Sequence, residues 1–94
     1  MTTEVKPRFK LGRCFVTQLA REWLDECSIK PESLIRRHAF GVWGDIPEED
    51  WLVNDDAVKN GGRILSGYAI CGRMVWVITD KERKSTSVCL PTEW

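Results

Sequence analysis

NGGRILSGYAICGRMVWVIT, residues 60–79, is the stretch that decides the fold. The double glycine Gly61-Gly62 interrupts any helix arriving from the N-terminal side, and the pattern then changes to runs of β-branched and aromatic residues. Arg63 to Ile70 reads as one strand, Cys71-Gly72-Arg73 as a tight turn, and Met74 to Thr79 as a second strand with the composition of a central one. Asp80 to Lys84 is a charged turn, and Thr86 to Leu90 is a third strand ended by Pro91. Strands joined by such short turns predict an antiparallel meander, one face of which must be covered by other elements.

The covering elements lie upstream. Over Thr17 to Cys27, Val16, Leu19, Ala20, Trp23, Leu24 and Cys27 share one helical face, while Gln18, Arg21, Glu22, Asp25 and Glu26 share the other. Thr17 is placed to cap it. Pro31 opens a second helix where a missing backbone donor costs nothing, Leu34, Ile35 and His38 turn inward, and Gly41 is available to close it. A third helix is expected from about Pro47, with Asp45 as its cap and Glu48, Glu49 and Asp50 at the positive end of its dipole. On it Trp51, Val53, Ala57 and Val58 span an inward arc, with Asn54 in the middle of that arc as a buried amide tying backbone together. Glu48, Glu49, Asp55 and Asp56 form an acidic outer arc. A short strand around Phe9 to Cys14 precedes the helices.

The expected architecture is therefore α+β. About three helices pack on a three- or four-stranded antiparallel β-meander in a single domain over residues 9–94, preceded by a basic arm over residues 1–8. A chain of 94 residues holds one core.

Charge restricts the partners. Fourteen basic residues balance 14 acidic ones, so the chain as a whole has no attraction for nucleic acid or anionic membrane, which argues against direct nucleic-acid binding. The distribution is uneven. Lys6, Arg8, Lys10 and Arg13 fall in a stretch without an acid, and Asp45, Glu48, Glu49, Asp50, Asp55 and Asp56 fall in one without a base. Cys14, Cys27, Cys71 and Cys89 match no Cys-x-x-Cys pattern and accompany one histidine, so no metal site or cofactor is expected, and the cysteines read as reduced small hydrophobes. No apolar run approaches the roughly 20 residues of a membrane span, and the cytoplasm is the expected location.

Arg37-His38, Gly41-x-Trp43-Gly44-Asp45, Glu49-Asp50, Asn54, Ala57, Gly61-x-Arg63-x-Leu65-Ser66-x-Tyr68, Trp76-x-Ile78-Thr79, Arg83, Thr86 and Leu90-Pro91 together resemble a family of small proteins carried on plasmids and integrative conjugative elements. These are labelled plasmid-related proteins, or mislabelled as restriction-enzyme subunits. The resemblance spans about residues 9–93; Val42, where an aspartate is frequent, and Cys71 with Arg73, where a plainer turn is usual, depart from it. It implies a setting on mobile elements, phage included, more than any chemistry, since no catalytic residues are established for that family.

Two functional readings follow. In the first, the chain binds and inhibits a host protein, with a nucleic-acid-guided defence complex as the preferred target in the manner of anti-CRISPR proteins. Glu48, Glu49, Asp55 and Asp56 with Asp45 stand in for phosphates and Trp43 anchors the contact, Trp76 and Trp94 being further anchor candidates. In the second, it is a metal-independent ribonuclease of the barnase, colicin or RelE type, with His38, Arg63, Arg83 and Thr86 in the base, cation and acid roles. That reading requires the four to converge.

Overall fold

The computed structural model describes residues 6–94, so the part of the basic arm at residues 1–5 lies outside it. In chain order the elements are strand β1 (Arg13–Val16), helices α1 (Gln18–Glu26), α2 (Pro31–Ala39) and α3 (Glu48–Asn60), strands β2 (Ile64–Ile70), β3 (Arg73–Thr79) and β4 (Ser85–Cys89), and a terminal 3-10 turn (Pro91–Glu93). The α+β class and the three helices are as expected from the sequence.

The sheet is not a pure antiparallel meander. Its strand order is β1-β4-β3-β2, with β2–β3 and β3–β4 antiparallel but β1 parallel to β4. The reason is topological: β1 precedes all three helices, and the chain returns to pair with β4 only after crossing the whole domain, which is the kind of connection a parallel pair requires. The first strand also starts later than the sequence suggests. Gly12 turns the chain at φ +66°, packed so closely on the Lys84 carbonyl that a Cβ would collide with it, and pairing begins only at Arg13. Phe9, assigned to that strand by its pattern, instead inserts beside Trp43, Ala57 and Ile64.

The helices lie in sequence along the sheet, α1 against β4, α2 against β3 and α3 against β2. Between them the core gathers Ala20, Leu24, Leu34, Tyr68, Val75, Val77, Val88 and Leu90, every second residue of the strands as a half-buried sheet requires. Thr17 caps α1 by accepting from the Ala20 amide at 3.3 Å. Asp45 does not cap α3. Pro47 stands at that position, with no side-chain hydrogen bond.

Asp45 belongs to a different device. β2 is an edge strand, and the backbone groups of Leu65, Gly67 and Ala69 face away from β3. Asn54 closes the first position, its Nδ2 donating to the Leu65 carbonyl at 2.8 Å and its Oδ1 accepting from the Leu65 amide at 3.1 Å. Trp43-Gly44-Asp45 closes the next two. The Gly67 amide donates to the Trp43 carbonyl at 3.0 Å, the Asp45 amide donates to the Gly67 carbonyl at 2.6 Å, and Asp45 Oδ2 accepts from the Ala69 amide at 2.9 Å. Gly44 is at φ +86° and abuts the Gly67 carbonyl, so no larger residue fits. An open edge is a template for unwanted pairing, and here it is filled by side chain and loop.

Replacing Asn54 with leucine removes both ends of the Leu65 interaction and leaves the partner groups buried. The fold should lose about 1–3 kcal/mol, measured as a lower denaturant midpoint, and an unchanged midpoint would mean that water replaces the amide freely.

Candidate functional site

His38 is wholly buried, carried on the last turn of α2. Its Nδ1 meets Ser66 Oγ at 2.5 Å and its Nε2 meets Thr79 Oγ1 at 2.8 Å. The chain of contacts continues from Thr79 Oγ1 to Thr86 Oγ1 at 2.7 Å and from Thr86 Oγ1 to the Leu11 carbonyl at 2.7 Å. Its direction is fixed by its far end. A carbonyl only accepts, so Thr86 donates to Leu11, Thr79 must then donate to Thr86, and His38 must donate from Nε2 to Thr79. Neutral His38 thus carries its proton on Nε2, and Ser66 donates to Nδ1.

Burial enforces that neutral state. Removal of the imidazole from water, reinforced by the nearby Arg83 guanidinium, lowers its pKa from 6.5 to about 3. Phe9 and Trp43 close the remaining sides, with ring centroids 5.2 and 5.9 Å from the imidazole. Arg83 is itself spent on backbone: its guanidinium donates to the Gly62 carbonyl at 2.6 Å, to Ala57 at 2.8 Å and to Asp80 at 2.9 Å, fastening the end of α3 to the β3–β4 turn.

Of the four residues expected to converge for ribonuclease chemistry, His38 and Thr86 are therefore joined through Thr79 inside the core, and Arg83 is a clamp beside them. Arg63 is exposed and lies over the Trp94 ring, 5.5 Å from its centroid. A general base must reach a substrate proton directly or through one water. His38 is sealed in the core with both ring nitrogens engaged, so the four are not presented together to a substrate.

The residues expected to meet a partner separate into two groups. Trp43 is fully buried and donates its indole proton to Asp55 Oδ1 at 3.1 Å. Asp55 also pairs with Arg8 at 3.2 Å, and the Arg8 amide donates to the Ala39 carbonyl at 2.8 Å, so this part of the basic arm is fastened to the domain. Asp45 is occupied with the β2 edge. All three are engaged in holding the fold, although Asp45 is exposed and Asp55 half-exposed. Glu48, Glu49 and Asp56 are exposed on α3, with Asp50 beside them.

The sequence reading missed what accompanies those carboxylates. Leu52 is 64% and Val53 61% exposed, and Trp51 is at the exposed margin, its indole donating to the Gly44 carbonyl at 3.3 Å. Only Asn54 and Ala57 of this helix are buried. The cause is the Asn54 amide: by reaching the edge of β2 it sets the rotation of α3, turning Val53 outward and Asp55 partly inward. The short apolar run Trp51-Leu52-Val53, which no single helical face can bury, was the available signal.

Among the described residues no group of histidine, cysteine and carboxylate side chains is arranged to hold a metal ion, and no helix is long and apolar enough to cross a membrane. Comparison with protein-family models, curated proteins and solved structures returned no match.

The depressed pKa of His38 has a consequence for stability. Above pH 6.5 the imidazole is neutral in both folded and unfolded chains, and the contribution is complete. As the pH falls below 6.5 the unfolded chain takes up a proton that the native one refuses until about pH 3, so stability is lost across that window. Between pH 6.5 and 5 the wild type should lose up to about 1.4 kcal/mol per pH unit in urea titrations, and His38→Gln, though less stable overall, should show little of this slope. Equal slopes for both would show that His38 is protonated in the native protein.

Proposed function

We propose that this chain is a non-enzymatic binding module that occupies a basic groove on a host protein and blocks it, using the outward face of α3. The observation that carries this reading is the composition of that face: Glu48, Glu49, Asp50 and Asp56 surround exposed Leu52 and Val53 with Trp51 alongside. Carboxylates alone are adequately explained as a solvated helix surface. Exposed adjacent aliphatic side chains among them are not, because they gain nothing from water, whereas at an interface they supply an apolar centre within a charged rim. A shallow cleft lined by Asp50, Val53, Asn54, Arg63 and Leu65 runs beside them and extends the surface towards β2.

The complementary partner is a cationic channel with an apolar floor, such as one that ordinarily holds a nucleic-acid backbone, with the carboxylates in the place of phosphates. The resemblance to small plasmid and conjugative-element proteins makes a nucleic-acid-guided defence complex the preferred target. The residues on which that resemblance rests, among them Trp43, Gly44, Asp45, Asn54, Ser66, Thr79, Arg83 and Thr86, are occupied in the core and at the β2 edge. Glu49 and Asp50, which also carry that resemblance, lie on the α3 face itself.

The test is affinity capture from the host with mass spectrometry, followed by binding measurements on the identified partner with two variants. Glu48→Lys/Glu49→Lys/Asp56→Lys and Leu52→Ser/Val53→Ser should both keep the native circular dichroism spectrum. Each should weaken binding by about tenfold or more, roughly 1.4 kcal/mol, and the charge variant should also lose salt dependence. Asp55 is left intact because it holds Trp43 and Arg8. Parental affinity in both variants at low salt would refute the α3 surface.

A further inference from the structure

Two of the four cysteines are brought together where the end of α1 meets the β2–β3 hairpin. Cys27 follows α1 directly, and Cys71 begins the turn between β2 and β3. The link between these places is Trp23, one helical turn before Cys27, whose indole donates to the Ile70 carbonyl at 2.9 Å, the residue before Cys71. Arg73, on the other side of the turn, lies over the same indole, 5.2 Å from its centroid. Positions four apart on a helix share a face, so Cys27 lies on the side of α1 that meets the hairpin tip.

The turn itself gives a second, independent observation. The Ile70–Arg73 pair closes a two-residue loop, and both loop residues have positive φ, Cys71 at +51° and Gly72 at +80°. Such a turn favours Asn-Gly or Asp-Gly, and a cysteine at its first position carries a conformational cost that asparagine would avoid. Cys71 is also exposed, so its sulfur serves no packing role, in contrast to buried Cys89. The expectation of four small hydrophobes therefore fails for Cys71 and for exposed Cys14.

We propose that Cys27 and Cys71 are a reversible redox pair whose disulfide staples the end of α1 to the tip of the β2–β3 hairpin. The Cys71 side chain beside it, together with partial burial and the nearby Glu26 carboxylate, pushes Cys27 up to about 11. Cys27 thus stays protonated, and Cys71 is the sulfur that an oxidant meets first. With hydrogen peroxide as the oxidant, the Cys71 thiolate displaces hydroxide from the O–O bond and becomes a sulfenic acid, the hydroxide taking up a proton to form water. Cys27 sulfur then attacks Cys71 sulfur, its proton leaving with the departing hydroxyl as a second water. Two thiols and one peroxide give one disulfide and two waters. A small-molecule dithiol reverses the reaction by exchange, ending as its own cyclic disulfide.

The experiment treats the full chain with hydrogen peroxide, quenches it, alkylates the remaining thiols and maps the peptides by mass spectrometry. The expected product has lost the mass of two hydrogens, joins Cys27 to Cys71, leaves Cys14 and Cys89 alkylated, and reverts in dithiothreitol. Closing a loop of roughly 45 residues should also raise the melting midpoint by about 20 °C. Cys71→Ser should abolish both the linkage and the rise, whereas Cys14→Ser should preserve them. Persistence of all four thiols, a linkage through Cys14 or Cys89, or one between chains would overturn the proposal.

Discussion

The hydrogen-bonded run from Ser66 through His38, Thr79 and Thr86 to the Leu11 carbonyl is the interaction on which the other features of this domain depend. It draws one polar group each from β2, β3 and β4, one from the segment leading into β1, and its histidine from α2. A buried polar group without a partner costs as much as several good contacts gain, so a run of this kind stabilises only when complete. Here it is complete: among the described residues every buried side-chain nitrogen and oxygen has a partner. Because each member has one geometry in which it is satisfied, the run also sets the sheet register and the seat of α2. An apolar replacement would hold the same volume without holding the alignment.

The second constraint follows from the first. Fixing α2 on the sheet places the loop after it along the free edge of β2, where Trp43-Gly44-Asp45 and then Asn54 take up the outward backbone groups of Leu65, Gly67 and Ala69. α3 is thereby held by an amide at the sheet edge more than by an apolar stripe, and this frees its outer face from the core. Structure and proposed function meet at that point, since the same helix that protects the edge presents Leu52 and Val53 to solvent.

Much of this was legible in the residues. The periodicity of α1, the proline opening α2, the double glycine after α3 and the alternation of the later strands were each local signals, and every element but β1 lies where they put it to within two residues. The tie made by Asn54 was readable because an amide in an apolar arc has few other uses. What escaped the sequence was non-local. That β1 pairs parallel with β4 depends on the path of the whole chain, and that Asp45 serves a strand edge instead of a helix cap depends on where β2 ends up. The burial of Trp43 had no local signature either, because tryptophan suits a core and an interface equally well. His38 was assigned inward correctly, but its partners lie 28, 41 and more residues away, beyond the reach of any pattern.

His38 as a neutral structural hub differs from a histidine that does chemistry in the protonation state of one ring. Long-range proton–nitrogen correlation spectra of the imidazole at pH 5 measure it directly. The account predicts a neutral ring with its proton on Nε2, unchanged from pH 7. An imidazolium at pH 5, or a neutral ring protonated on Nδ1, would contradict it.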